Sequence, residues 1–310
     1  MLKKCKGLAI AVLVVLLSLG LMLGGCVPAE ENGEIQDEIS GETSQIQGSQ
    51  EAAAKDTIKI GYVMWACAEA STHVAQAVIM DYLGYDVDTL SLEVGGMYSG
   101  IADGDLDFQT TAWMPVTHKE YMDTYGDEVD DYGVLYEEAR IGLVVPSYVD
   151  IDSIEELNWH ADKFGGRITG IDAGAGIMIA SEKAIDEYGL ELELLESSDM
   201  AMTAALADAI LENEWIVVTG WTPHWKFARY DLKFLEDPLK VYGDVENIHV
   251  IARQGLDEDA PDVASFLKNF YLEPEQLGEV IGAIAEGEKP LEAARQWIAD
   301  NGDVVEGWLQ

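Results

Sequence analysis

The chain has 310 residues, of which 48% are apolar and 25% charged, so it has enough material to bury a core for roughly two domains. Acidic residues number 58 against 18 basic ones, which gives a formal net charge of −40. A surface of that sign repels nucleic-acid phosphates and anionic lipid headgroups, which excludes nucleic acid as a partner.

The first 25 residues have the pattern of a secretory signal. Three lysines precede a sixteen-residue apolar run, and the run ends in Leu-Gly-Gly before Cys26. This ending resembles the bacterial lipobox, where the signal is cleaved before the cysteine and the thiol receives a lipid. We therefore predict a lipoprotein signal over residues 1–25 and an extracytoplasmic protein, anchored to the cell membrane through a lipid on Cys26. The alternative is an uncleaved transmembrane anchor, for which the run is slightly short.

Residues 26–56 predict a disordered tether. The segment is rich in Glu, Gln, Ser and Gly with only isolated apolar residues, so it cannot bury enough surface to fold. As a flexible coil it would reach about 30 Å, enough to hold a folded body near a membrane. The chain's three cysteines are too few and too scattered for a disulfide framework or a metal site.

The body after the tether alternates predicted strands and helices. Apolar alternation predicts strands, and helical periodicity with Ser, Thr or Pro starts and Gly stops predicts helices. The predicted strands cover residues 57–65, 87–94, 108–113, 140–145, 167–171, 215–219 and 247–252. The predicted helices cover residues 71–83, 97–102, 115–125, 177–188 and 200–213, and the chain after residue 252 is mostly helical. This alternation predicts an α/β fold with mainly parallel sheets flanked by helices.

Two crossings of the chain predict two lobes. The body divides near residues 145–147 and again near residues 249–253, with a segment of strands and helices between them. We expect lobe I at 57–146, an inserted lobe II at 147–248, and a return to lobe I with C-terminal helices at 249–310. An inserted lobe joined by two crossing strands makes a hinged cleft.

The sequence carries no motif for metal, nucleotide or hydrolase chemistry. It has no HExxH, no Cys/His cluster, no Walker loop and no GxSxG with a matching acid and histidine. Gly174 and Gly176 follow a strand and open a helix, but Ile179 stands where the third glycine of a dinucleotide fingerprint belongs. Such a turn still presents backbone N–H groups that bind any anionic group, a carboxylate included. We predict no metal, no cofactor and no catalytic residue.

Three of the eight tryptophans stand at the ends of predicted strands: Trp65, Trp113 and Trp221. Ligands of open α/β sheets bind beyond the carboxyl ends of the strands, so we expect the three indoles to face one cleft. A cluster of indole faces suits a quaternary ammonium, which cannot donate a hydrogen bond and is held by the ring quadrupoles. Core or rim packing is the alternative for each indole taken alone.

Four segments of the body carry more specific patterns. They are residues 61–65 (GYVMW) with 70–72 (AST), 112–118 (AWMPVTH), 170–178 (GIDAGAGIM) and 220–225 (GWTPHW). These segments resemble motifs of the glycine betaine substrate-binding lipoproteins of ABC osmoprotectant importers. The resemblance covers about residues 59–308 and implies a two-lobed, periplasmic-binding-protein-like fold.

The resemblance implies a site for each end of a betaine. It places an aromatic cage for the trimethylammonium on Trp65, Trp113 and Trp221. It places a carboxylate site on the backbone N–H groups of Gly176 and Ile177, with the imidazole of His118 as a further donor. If the carboxylate raises the pKa of His118, betaine affinity is expected to strengthen as pH falls through about 6.5.

The sequence therefore predicts a binding protein, not an enzyme, that captures glycine betaine or a related betaine. The resemblance implies delivery of the betaine to an ABC permease powered by a separate ATPase subunit. Two alternatives remain open: a binding protein for choline or another quaternary ammonium, and a ligand-sensing lipoprotein not dedicated to transport. No acid lies within three residues of any of the three tryptophans to accept a choline hydroxyl, which favours a betaine.

Overall fold

The computed structural model describes residues 56–310 of the chain. The predicted signal over residues 1–25, Cys26 and nearly all of the predicted tether lie outside these described residues. None of the helices in residues 56–310 has the length and apolar character needed to span a membrane.

The strands of the described residues form one mixed sheet. They are β1 (Ile58–Tyr62), β2 (Val87–Ser91), β3 (Phe108–Met114), β4 (Val129–Pro146), β5 (Arg167–Thr169), β6 (Glu193–Leu195), β7 (Val218–Thr222), β8 (Leu232–Phe234) and β9 (Glu246–Arg253). Their order is β2-β1-β3-β9-β4-β7-β5-β6, and β8 pairs with β4 beside this path.

Helices alternate with these strands along the chain and form its C-terminal part after β9. They are α1 (Ala66–Val78), α2 (Val94–Ala102), α3 (Lys119–Tyr125), α4 (Gly176–Tyr188), α5 (Asp199–Glu212), α6 (Lys226–Arg229), α7 (Leu256–Asp259), α8 (Pro261–Asn269), α9 (Pro274–Ala285), α10 (Pro290–Asp300) and α11 (Gly302–Trp308). Helix α1 continues as a turn of π-helix over Ile79–Leu83. Helices α8, α9 and α10 begin with proline, which has no N–H to leave unpaired in a first turn.

The long strand β4 joins the two ends of the sheet. Its residues 129–139 pair antiparallel with β9, and its residues 140–146 pair antiparallel with β7 and β8. Outside this centre the strands are parallel, with β2, β1 and β3 at one end and β7, β5 and β6 at the other. The predicted α/β class is therefore confirmed, with a sheet that is mixed because β4 and β9 run antiparallel through its centre.

Two predicted elements begin later than expected. The helix predicted at 115–125 begins at Lys119, because the chain before it is held in turns by Glu246, whose Oε2 accepts the backbone N–H groups of Val116 and Thr117 at 2.7 and 2.8 Å. The strand predicted at 215–219 is β7, and Trp215 lies outside it against the ring of Phe164. As a result, Trp221 lies within a strand and not after it.

Candidate ligand-binding site

The three tryptophans predicted to form a cage line one cavity. The empty space among its lining residues, the opening to solvent included, is about 270 Å³. Those residues are Trp65, Trp113, Thr117, Ile141, Ile171, Gly176, Ile177 and Trp221. Each of the three indoles is buried, with at most 6% of its surface exposed. The cavity is therefore a largely apolar space with the first turn of α4 in its lining.

Each indole is placed by a different element of the fold. Trp65 is the residue that precedes α1, with an extended backbone at φ −108° and ψ 145°. Trp113 lies near the end of β3, and Trp221 pairs with Ile141 of β4 inside the sheet. The ring centroids of Trp65 and Trp221 are 6.3 Å apart and their planes are inclined by 55°. Inclined rings of this kind can surround a rounded cation on more than one side.

The beginning of helix α4 also lines the cavity. Ala175 precedes this helix and gives it no side-chain cap, and its first turn has no acidic residue. Helix α5, in contrast, begins with Ser198, whose hydroxyl accepts the backbone N–H of Ala201 at 3.2 Å. The N–H groups of Gly176 and Ile177, the first two of the helix, precede the first helical hydrogen bonds, which Met178 and Ile179 donate to the carbonyl of Ala175. Together with the helix dipole they suit an anionic group.

Gly176 lies in close contact with the turn after β3. A Cβ atom built on Gly176 would lie 2.1 Å from the carbonyl oxygen of Thr117 and 2.6 Å from its Cγ2. The backbone oxygen cannot give way as a flexible side chain can. Only glycine therefore allows the start of α4 to approach this turn as closely as it does.

His118 lies beside the cage, completely buried, but it is not among the residues that line the cavity. Its ring centroid is 6.3 Å from that of Trp65. The backbone N–H of Trp113 donates to His118 Nδ1 at 3.3 Å, and Tyr98 Oη lies 3.1 Å from the same atom. Because Nδ1 accepts from a backbone N–H, the neutral ring carries its proton on Nε2. His118 Nε2 has no hydrogen-bond partner among residues 56–310.

Burial keeps the His118 imidazole neutral. The absence of water around it lowers its pKa to about 3, from the ordinary value near 6.5. The expectation that affinity strengthens as pH falls through about 6.5 is therefore wrong for this residue, because burial moves its titration well below that range. A neutral ring still donates one hydrogen bond from Nε2.

Hydrogen bonds join the two predicted lobes across the cavity. Trp65 Nε1–H donates to Asp172 Oδ2 at 3.2 Å, and Tyr121 Oη–H donates to the carbonyl of Gly174 at 2.7 Å. In each pair the donor belongs to residues 57–146 and the acceptor to residues 147–248. These bonds are made only when the two sides of the cavity are close together.

A buried polar cluster next to Trp221 was not predicted from the sequence. Asp199 Oδ2 accepts the backbone N–H of Ala66 at 3.2 Å, and Asp199 Oδ1 lies 3.0 Å from His224 Nε2. Lys226 is completely buried, with its Nζ 3.9 Å from the centroid of the Trp221 ring. The sequence shows a lysine directly after the GWTPHW segment, but its position in the sequence pattern does not indicate that the side chain is buried. No group of three or more His, Cys, Asp or Glu side chains within residues 56–310 is arranged to hold a metal ion.

Comparison with known proteins identifies the family. Residues 56–300 match the family model OpuAC, described as the substrate binding domain of ABC-type glycine betaine transport systems. The chain belongs to this family. The match covers the whole site described above and confirms the resemblance found in the sequence.

Individual relatives agree with the family match. Glycine betaine/carnitine transport binding protein GbuC of Listeria monocytogenes is 51% identical over 144 residues, which are 46% of this chain and 48% of GbuC. The match thus spans about half the length of that relative. Lactococcal OpuAC, crystallised closed with glycine betaine, is 39% identical with a TM-score of 0.79 over 83% of this chain and 100% of that chain. A choline binding protein crystallised with choline is 28% identical with a TM-score of 0.76 over 82% and 91%.

Proposed function

We propose that the protein captures glycine betaine or a related betaine in the indole-lined cavity and delivers it to an ABC permease driven by a separate ATPase subunit. The observation that carries this proposal is the pairing of three buried indoles with an uncapped helix start at one cavity. A betaine has the matching pair of groups, a methylated cation and a carboxylate. The betaine named in the lactococcal OpuAC complex and in GbuC supports the same ligand class.

The cationic end would lie among Trp65, Trp113 and Trp221. A quaternary ammonium has no N–H to donate, so a polar pocket offers it little in exchange for its lost water. Indole faces offer the negative side of their quadrupole, worth about 0.5–2 kcal/mol per contact, and apolar surface for the methyl groups. The anionic end would lie at the N–H groups of Gly176 and Ile177, where the helix dipole adds to the hydrogen bonds.

Choline is the second candidate, and the choline complex of a 28% identical structure keeps it open. Choline has no carboxylate to use the start of α4, and its hydroxyl needs an acceptor. Asp172, an acid beside the cage, already accepts the indole N–H of Trp65 and is not among the cavity-lining residues. These features favour a betaine over choline.

Calorimetric titration of the purified protein with glycine betaine, proline betaine, carnitine, choline and proline tests this function. We expect the betaines to bind more tightly than choline, and proline to bind least because it lacks methyl groups on nitrogen. Tighter binding of choline than of every betaine would contradict the proposal. A transport role, as opposed to sensing, further predicts that the bound protein stimulates a cognate permease and ATPase.

We further propose that the protein has two lobes that close over the ligand. Lobe I consists of residues 57–146 and 249–310, and lobe II consists of residues 147–248. The two bonds between Trp65 and Asp172 and between Tyr121 and Gly174 support this, because they join those segments on opposite sides of the cavity. The continuous strand β4, which pairs with β9 before residue 140 and with β7 from residue 140 onward, connects the two sides. A ligand that contacts both lobes would stabilise their closed arrangement relative to the open one.

His118→Ala is expected to weaken betaine binding by about 1.5–3 kcal/mol, the range for a hydrogen bond to a charged group. The reason is the buried Nε2–H, which has no other acceptor among residues 56–310. Choline binding should change little, since choline has no carboxylate to accept that proton. The measurement is the ratio of the two affinities in wild type and variant, and an unchanged ratio would show that His118 does not contact the carboxylate.

We also propose that the protein is a lipoprotein anchored outside the cytoplasm through Cys26. The lipobox-like ending of the apolar run supports this site. One acyl chain binds membranes only marginally, so a stable anchor needs more than one. Cys26→Ser should release the protein from membranes or leave an unprocessed precursor. Mass spectrometry of the mature wild-type protein should find a diacylated or triacylated Cys26 at the N-terminus, and cleavage elsewhere with an unmodified Cys26 would contradict the proposal.

A further inference from the structure

A buried lysine stands against one of the three cage indoles. The side chain of Lys226 has no exposed surface, and its Nζ lies 3.9 Å from the centroid of the Trp221 ring. Among residues 56–310 this ammonium nitrogen has no hydrogen-bond acceptor. Trp221 lines the cavity and Lys226 does not, so Lys226 can act on a ligand in this space only through its neighbours, of which Trp221 is one.

Three titratable groups face Lys226 from the elements around it. They are Asp199 at the start of α5, Cys67 in α1 and His224 just before α6. Burial raises the pKa of the Cys67 thiol to about 12 and lowers the pKa of His224 to about 4, so both are neutral near pH 7. Burial alone would raise the pKa of Asp199, but the hydrogen bond from His224 and the charge of Lys226 lower it overall, so it stays ionised.

Burial also decides the charge of Lys226 itself. It lowers the pKa of the ammonium to about 7, although the nearby Asp199 acts in the opposite direction. An ordinary lysine titrates near 10.4 and would stay charged at all physiological pH values. Lys226 therefore changes its charge in the pH range where the protein would work.

We propose that Lys226 is a specificity-determining residue that acts through Trp221, opposing a positive headgroup on the cavity side of the indole and so favouring zwitterions over ligands with a net positive charge. This inference rests on the proposed function, because it requires that a quaternary ammonium bind against Trp221. Lys226 would not contact the ligand. Lys226 would act on the ligand cation through the electric field across the Trp221 ring.

Two cations on one indole oppose each other. With the ligand cation about 4 Å from the face of Trp221 opposite Lys226, the two nitrogens would be roughly 8 Å apart in a buried region where water screens little. Choline carries no negative charge of its own that would offset this repulsion. A betaine carries its own carboxylate into the same closed site, which reduces the net field at Lys226. The protonated lysine therefore disfavours choline more than betaine.

The sign of the pH dependence follows from this repulsion. A bound cation lowers the pKa of Lys226 further, so the ligand binds more tightly to the neutral lysine, and affinity rises as pH increases through about 7. We expect a rise between pH 6 and pH 8.5 of about 10-fold for choline and about 3-fold for glycine betaine. Because ligand binding and proton binding at Lys226 are linked, choline binding at pH 7 should release about 0.3–0.5 proton from Lys226 per choline bound.

The test compares wild type with Lys226→Met, which keeps an unbranched side chain of similar length and removes the charge. The control is Lys163→Met, because Lys163 Nζ also lies 3.9 Å above an indole, that of Trp215, which does not line the cavity. Titrations with glycine betaine and choline at pH 6, 7 and 8.5 measure affinity. Titrations of wild type in two buffers of different ionisation enthalpy measure proton release without any variant.

We expect Lys226→Met to remove the pH dependence of both affinities and to reduce the ratio of betaine affinity to choline affinity at pH 6. Lys163→Met should behave as wild type in both respects. A wild-type affinity that is flat with pH and binding that releases no proton would overturn the inference while leaving the proposed function intact. An equal pH dependence in wild type and Lys226→Met would overturn it as well. If neither glycine betaine nor choline binds wild type at any pH, the proposed function itself fails.

Discussion

Replacement of Trp65, Trp113 or Trp221 by alanine is expected to weaken betaine binding by about 2–4 kcal/mol in each case. This loss combines the cation–π attraction of a desolvated ring, up to about 2 kcal/mol, with the apolar surface that the indole buries against the methyl groups. All three indoles are nearly inaccessible to solvent, so their quadrupoles act with little screening. Phenylalanine at the same positions should retain part of the affinity, because its ring has a weaker quadrupole but similar apolar character.

Calorimetric titration of each variant with glycine betaine measures this effect. Trp159→Ala is the control, because Trp159 is 72% exposed and lies outside the cavity, so its affinity should match wild type. The three single variants are to be compared by circular dichroism, since each also removes a packed side chain. A folded cage variant that binds as wild type does would remove that residue from the cage.

The second large effect is expected for Gly176→Ala, which should weaken betaine binding by about 3 kcal/mol or more. The added Cβ would lie 2.1 Å from the carbonyl oxygen of Thr117, so helix α4 and that turn must move apart. Overpacking against atoms that cannot repack costs about 1–3 kcal/mol and occasionally more. The same movement takes the N–H groups of the helix start away from a bound carboxylate, which adds to the loss.

Gly278→Ala is a matched control for this substitution. Gly278 lies in α9, where nothing stands within 4 Å of an added Cβ, so alanine should leave binding unchanged and stabilise the helix by up to about 1 kcal/mol. Small-angle scattering of Gly176→Ala with saturating betaine should show less compaction than wild type. Wild-type affinity in Gly176→Ala would show that α4 does not need to approach this turn for binding.

The site was best predicted where the residue type and its local position favour one structural role, as for tryptophans near strand ends and glycines in a turn before a helix. Tryptophans near predicted strand ends predicted a shared cavity. The structure places all three indoles around one space, although Trp65 lies three residues after β1 and Trp221 lies inside β7. The start of α4 was predicted within one residue, from a glycine-rich turn directly after a strand. Local signals of this kind do not depend on what packs against them.

The parts that the sequence did not predict depend on distant partners. Residues 129–139 of β4 form a strand through pairing with β9, but shifts of register interrupt their alternation, so periodicity gave no signal there. The turn before α3 depends on Glu246, which is more than a hundred residues away in the chain. The burial of Lys226 depends on residues of α1, α5 and β7 that meet around it, which no local sequence pattern at Lys226 indicates.

A crystal structure of the protein with glycine betaine bound tests the proposed site most directly. We expect the ligand nitrogen to lie about 4–5 Å from the indole faces of Trp65, Trp113 and Trp221, at cation–π distance. We also expect the carboxylate to accept hydrogen bonds from the backbone N–H groups of Gly176 and Ile177. A betaine bound outside this cavity, or bound in it with the carboxylate among the indoles, would contradict the proposed site.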